Sequence, residues 1–178
     1  MSTAAPHDAA PHDRSAKVAS TARNYVTSLD ELVGAHPDTL RTLFLNGQAT
    51  DPRELGEAPR GRLLAVQPAR EVNALARPIV QAIAGPLPWR GKVLRADGSG
   101  ANVVFGREIA PFAWRTDASA IDGAPALVLS YAERPWPLRA IHDELRTVAD
   151  GIAIGPIVAQ TPAGPVVIGW FGLERSLS

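Results

Sequence analysis

A chain of 178 residues with 46% hydrophobic and 20% charged side chains has the make-up of one globular domain and is too short for two substantial ones. Basic and acidic residues balance at 18 each, so charge gives no reason to expect a nucleic acid or an anionic membrane as partner. There is no cysteine, which excludes disulfides, thiolate nucleophiles, zinc ribbons and iron–sulfur clusters.

No apolar run approaches the roughly 20 residues of a membrane helix, and the start lacks the apolar core of a signal peptide, so a cytoplasmic location is expected. Residues 1–22 repeat Ala-Ala-Pro-His-Asp and show no apolar periodicity. Such a segment cannot bury enough surface to offset its ordering entropy, so it reads as a disordered tail before a single β-barrel domain over 23–178. Folding is expected to begin near Asn24. Ser28-Leu29-Asp30-Glu31 fits a capping box, with Ser28 bonding the amide three residues on and Glu31 reaching back. His36-Pro37-Asp38 starts a second helix that buries Leu40, Leu43 and Phe44 and ends at Asn46-Gly47. Asp51-Pro52-Arg53-Glu54 repeats the start signal for a very short helix.

Leu63 to Val66 is the first expected strand. Val72, Leu75, Ile79 and Ile83 recur at helical spacing, which predicts a helix over 69–84 interrupted by Pro78. Val93–Ala96 and Asn102–Phe105 flank Asp97-Gly98-Ser99-Gly100, a hairpin signal because these residues tolerate the positive φ of tight turns. Phe112–Thr116 and Ala126–Tyr131 form another pair around Ile121-Asp122-Gly123, and Ile152–Val158 and Val166–Phe171 a third around Thr161-Pro162-Ala163-Gly164. Between them, Leu138, Ile141, Leu145 and Val148 fit one face of a helix over 137–149. The fold class is therefore α+β: an antiparallel, partly open β-barrel with N-terminal helices and one helix inserted before the last hairpin.

Several chemistries fail on motif. Gly98-Ser99-Gly100 joins two strands and lacks a third glycine, so it is no dinucleotide loop. Gly91-Lys92 is followed by Val93, where a P-loop needs a hydroxyl. There is no nucleophile elbow, and only His36 and His142 lie outside the tail, so neither a metal nor another cofactor is expected. The remaining candidates are polar groups on apolar elements. His142 falls on the apolar face of the expected helix, where partial burial would tune it as an acid or base. Lys92 is the one lysine of the folded body, Lys17 being in the tail. Facing a dry cavity it would act as a base or Schiff-base former. Because strand side chains alternate, only one of Lys92 and Arg95 can point inward. Asp143, Glu144 and Arg146 read as solvated neighbours of His142. Trp89, Trp114, Trp136, Trp170 and Phe112 could shape an apolar pocket in which Tyr131 and Asn102 orient a ligand.

Leu87-Pro88-Trp89-Arg90-Gly91-Lys92, the strand ending in Tyr131, the corner Pro135-Trp136-Pro137, and Ile141-His142-Asp143 followed by Leu145-Arg146 together resemble a bacterial family of unknown function. That family carries a GXWXG segment, a Trp-x-Gly-Lys strand and a Tyr-Asp…Pro-Ile…Asp corner. The resemblance spans roughly Gly61 to Glu174; Gly56 to Gly61 lacks the tryptophan, and Ala132 stands where the family has the aspartate. It implies a small lipocalin-like barrel and brings no established reaction.

The function expected from these residues is binding of an apolar or polycyclic small molecule inside the barrel, with cofactor-free cyclisation, isomerisation or dehydration. His142, Tyr131 and Lys92 would carry the chemistry. The alternatives are a non-catalytic carrier and a protein-interaction module that pairs with a partner or forms a homodimer.

Overall fold

The computed structural model describes residues 26–67 and 88–176. The tail over 1–22, the expected start at Asn24 and the helix expected over 69–84 lie outside the described residues. Ser28 caps a single 3-10 turn, Leu29–Leu32, by accepting a hydrogen bond from the Asp30 amide rather than from residue 31. The Glu31 carboxylate reaches back to Thr27 instead of Ser28. Helix α1 (Pro37–Asn46) starts where His36-Pro37 predicts and buries Leu40 and Phe44. After a two-residue strand β1 (Gln48–Ala49), the short helix α2 (Pro52–Leu55) is capped by Asp51.

The remaining strands are β2 (Arg60–Val66), β3 (Trp89–Leu94), β4 (Ser99–Val104), β5 (Arg107–Ala118), β6 (Pro125–Ser130), β7 (Ile141–Ala149), β8 (Ile152–Thr161) and β9 (Gly164–Glu174). Each pairs antiparallel with the next, and β9 returns to β2 from Arg60↔Glu174 to Val66↔Gly169. The result is an α+β, lipocalin-like barrel of eight strands, closed rather than partly open. Closure gives the edge strands partners that an open sheet would leave unpaired. β1 adds to β7 beyond the start of β6, through Gln48↔Thr147 and Ala49↔Arg146.

The expected helix over 137–149 is the main correction. Only Leu138–Ala140 form a 3-10 turn, and Ile141–Ala149 are strand β7. The apolar spacing fits a helix because both faces of β7 are covered. Ile141 and Leu145 join the interior cluster, while Val148 belongs to a second cluster on the outside. Asp150-Gly151 then makes a two-residue hairpin turn, with Gly151 at φ +65 and Ala149 paired to Ile152.

The two apolar clusters have different tasks. Leu94, Phe112, Leu127, Leu129, Leu145 and Phe171 fill part of the barrel, and Leu55 of α2 packs with them. Leu29, Leu40 and Phe44 instead cover the outer face of the barrel, against Val148, Ile152, Ile154 and Trp170. The Phe44 and Trp170 rings meet edge-on at 6.0 Å. β7 and β8 approach so closely at Gly155 that a Cβ there would overlap the Glu144 carbonyl. Only glycine fits.

Candidate functional site: a cavity with a buried lysine–aspartate cluster

The barrel is not packed throughout. A cavity of about 490 Å³ opens where β3 and β7 begin and β4 and β6 end. Leu63, Val66, Ile109, Leu138, Ile141, Ile157, Ile168 and Phe171 give it an apolar lining. Leu63, Val66 and Ile109 remain partly exposed to solvent. Such a volume lies within the roughly 300–1,000 Å³ of small-molecule sites.

Besides Arg62, which pairs with Asp30, one polar cluster interrupts that lining. Lys92 and Asp143 are 2% and 4% exposed. The Lys92 ammonium donates to Asp143 Oδ2, Tyr131 Oη and Asn102 Oδ1, each at 2.8 Å. Tyr131 in turn donates to Asp143 Oδ2 at 2.9 Å. Asn102 accepts from Trp89 Nε1 at 3.1 Å and donates to Tyr131 Oη at 3.0 Å and to the Ala110 carbonyl at 3.3 Å. All three ammonium protons are used. Asp143 Oδ2 accepts twice, and among the described residues no hydrogen bond reaches Oδ1 of this cavity-lining side chain.

The backbone explains how these groups converge. A register shift between Trp89 and Gly91, with Gly91 at φ +143, brings Trp89 and Lys92 to the cavity although they are three residues apart. A Cβ on Gly61 would strike the Trp89 ring, so glycine there lets the indole lie against β2. Asn102 is directly opposite Lys92 in the β3–β4 pairing. Asp143 is inward by the alternation of β7, and Tyr131 follows the last residue of β6.

Four aromatic rings enclose the ammonium: Phe112, Phe171, Tyr131 and Trp89 lie with centroids 5.0, 5.1, 5.5 and 5.6 Å from Nζ. Burial among them pushes the Lys92 pKa below its ordinary value, against the opposing pull of Asp143. Burial also drives the Tyr131 phenol well above its usual range, and the Asp143 charge adds to this. Tyr131 therefore stays protonated at neutral pH and keeps its donor role.

The sequence candidates divide sharply. Lys92, Tyr131, Asn102 and Trp89 meet at the cavity, and Phe112 supports them by stacking edge-on with Tyr131 at 5.5 Å. Arg95 points elsewhere and pairs with Glu108. His142 does not reach the cavity, because in a strand it faces opposite to Asp143. It contacts Glu144 Oε1 at 3.0 Å and Gln160 at 3.2 Å. Trp170 packs outside the barrel on Phe44, and Trp136 is 59% exposed. Trp114 donates to the Ser99 carbonyl and borders a separate groove with Asp51, Arg53, Glu57 and Arg95, whose charged ends suit a solvated surface.

Asp143 is the residue that sequence reasoning missed. The signal was Asp150-Gly151: read as a hairpin turn, it makes 141–149 a strand and sets Asp143 in phase with Ile141 and Leu145. Glu144 and Arg146 are also buried, on the outer face. Burial alone would raise the Glu144 carboxyl, but hydrogen bonds from His142, Ser119 Oγ and the Ala120 amide outweigh it and hold its pKa below the ordinary value.

No family model matches this chain. No curated protein matches it either. Among solved structures, the crystal structure of a protein from Thermomonospora curvata superposes with a TM-score of 0.53 at 17% identity, covering 92% of this chain and 97% of its own. That likeness is one of fold. No helix among the described residues is long and apolar enough to cross a membrane.

Proposed function

We propose that the barrel binds an apolar small molecule with one polar group directed at the Lys92–Tyr131–Asp143 cluster, and moves a proton on it. The observation that carries this reading is a buried ion pair in the wall of a largely apolar cavity of about 490 Å³. Asp143 Oδ1 is placed to take a proton from the ligand. The Lys92 ammonium, its three donors already taken, would stabilise the negative charge that develops on a ligand oxygen through its field, and the Tyr131 hydroxyl would do so by exchanging its bond to Asp143 for one to the ligand. In a dry site such donors act more strongly than in water. These groups suffice for an isomerisation, cyclisation or dehydration; Asn102 and Trp89 hold the lysine in position.

A carrier is the second reading, favoured by the internal satisfaction of the lysine, whose three donors already have protein acceptors. Native mass spectrometry of the purified protein would identify a retained ligand, and incubating that ligand with protein in deuterated water separates the readings. Deuterium uptake that Asp143→Asn abolishes while still binding supports proton transfer; binding without uptake in either protein leaves a carrier. If no ligand is retained, displacement of a fluorescent anilinonaphthalene sulfonate is the fallback. Its binding should be lost in Ile157→Trp, which fills the cavity, and equal binding by both proteins rejects the barrel interior as the site.

A further inference from the structure

We propose that Lys92 is a Schiff-base lysine whose Nζ condenses with the carbonyl carbon of an apolar aldehyde or ketone held in the barrel cavity. This rests on the ligand-binding reading above and deepens it by naming the substrate class and a covalent step. A lysine needs three things for this role: a path for the carbonyl, a partner that takes and returns its protons, and surroundings that keep water from reversing the condensation. All three are present around Nζ.

Lys92 lines the cavity, so a ligand among Ile141, Ile157 and Ile168 has its end against the amine. Asp143 Oδ2, 2.8 Å from Nζ, is within direct transfer distance. Phe112, Phe171, Tyr131 and Trp89 surround the nitrogen and exclude bulk water, and their faces suit the delocalised cation of a conjugated iminium. The lowered pKa of Lys92 favours the neutral amine in the same direction. Apart from two histidines, arginine supplies every other basic side chain outside the tail and cannot lose its proton, so the one lysine of the folded body stands where deprotonation is useful.

The step balances. Nζ passes one proton to the Asp143 carboxylate, and the neutral amine adds to the carbonyl carbon while the carbonyl oxygen takes up a proton from nitrogen. The carbinolamine then loses its hydroxyl as water, using the proton held by Asp143. The products are a protonated imine, one water and the Asp143 carboxylate, which pairs with the new cation. That cation makes the neighbouring C–H acidic, and Asp143 Oδ1 is placed to remove it.

The chain's lysine content makes the test sharp, because Lys17 and Lys92 are its two lysines. The full chain is incubated with naphthaldehyde and sodium cyanoborohydride, digested, and the naphthylmethyl adducts are mapped by mass spectrometry. The expected result is an adduct on the Lys92 peptide in preference to Lys17 and the amino terminus, and its loss in Lys92→Arg. Asp143→Asn should still bind naphthalene methanol, read by fluorophore displacement, but form the adduct about 100-fold more slowly, the lower end of what a positioned acid–base group contributes. Adducts confined to Lys17 and the amino terminus in a wild-type protein that binds naphthalene methanol overturn the covalent step and leave the binding reading intact. Failure to bind naphthalene methanol, with no Lys92 adduct, overturns both.

Discussion

Two buried cations lie one inside and one outside the barrel, Lys92 on β3 and Arg146 on β7, and their surroundings differ in kind. Arg146, 2% exposed, is outside, where its guanidinium forks onto both Asp122 oxygens at 2.7 and 2.9 Å. It also donates to the Pro125, Ala124 and Phe44 carbonyls and stacks over the Phe44 ring at 4.4 Å. It ties α1 and the loop before β6 to β7. Lys92 is inside, bound to side chains alone, with a cavity beside it. Every group around Arg146 is spent on holding backbone in place, whereas the carboxylate beside Lys92 lines the cavity and has an oxygen that no hydrogen bond among the described residues reaches. Burial of a charge therefore does not by itself point to a binding site; a neighbouring void adds the room that a ligand needs.

The largest expected effect separates the two through double variants. Arg146→Met should cost about 3–5 kcal/mol in denaturant unfolding, as for a broken buried pair. Adding Asp122→Leu should not restore it, because the backbone carbonyls stay unsatisfied. Lys92→Met should cost about 3 kcal/mol by leaving Asp143 uncompensated, but Lys92→Met with Asp143→Leu should recover most of that loss. If both double variants recover alike, the two cations do not differ in what they hold in place. Trp170→Ala, on the Phe44 contact, is expected to cost about 3–5 kcal/mol in the same measurement.

The outer wall should also be the more acid-sensitive. Glu144 has a folded pKa below its unfolded value, so its stabilisation is present above the unfolded pKa and lost as pH falls through the folded one. Glu144→Gln should be less stable than wild type near neutral pH by about 1.5–3 kcal/mol, the scale of charged hydrogen bonds, and the gap should close in acid. A gap that is constant with pH would mean that packing rather than ionisation holds the loop over 119–124. The smallest effect belongs to Trp136, whose replacement by alanine should shift stability by no more than about 0.5 kcal/mol. A larger shift would place its ring against something its 59% exposure does not reveal.

Much of this was legible beforehand. Three hairpins announced themselves through Asp97-Gly98, the Ile121–Gly123 turn and the Pro162–Gly164 turn, because turn chemistry is local. The helix starts at Pro37 and Pro52 were equally local. Lys92 and Tyr131 are legible as candidates because one is the lone lysine of the folded body and the other carries a polar tip at the end of an apolar strand. The partner that completes them, Asp143, was hidden in a segment whose apolar spacing suits a helix and a strand alike. His142 was favoured for the same mistaken reason, and as a strand residue it turns away. Trp170 and Trp114 were sorted to inside or outside only by register and by what the N-terminal helices cover.

By itself, the sequence determined the strand-rich α+β class, the turns and the scarcity of lysine, since each depends on residues within a few positions. Tertiary structure decided that the sheet closes, that a cavity remains at one end, and that Lys92, Tyr131, Asn102 and Asp143 share it. Those outcomes depend on pairing between segments up to 114 residues apart, as in the Arg60 and Glu174 contact that fastens β2 to β9. A one-residue change of register sends every side chain of a strand to the other face. Local pattern cannot supply that choice, and the packing of the closed barrel does.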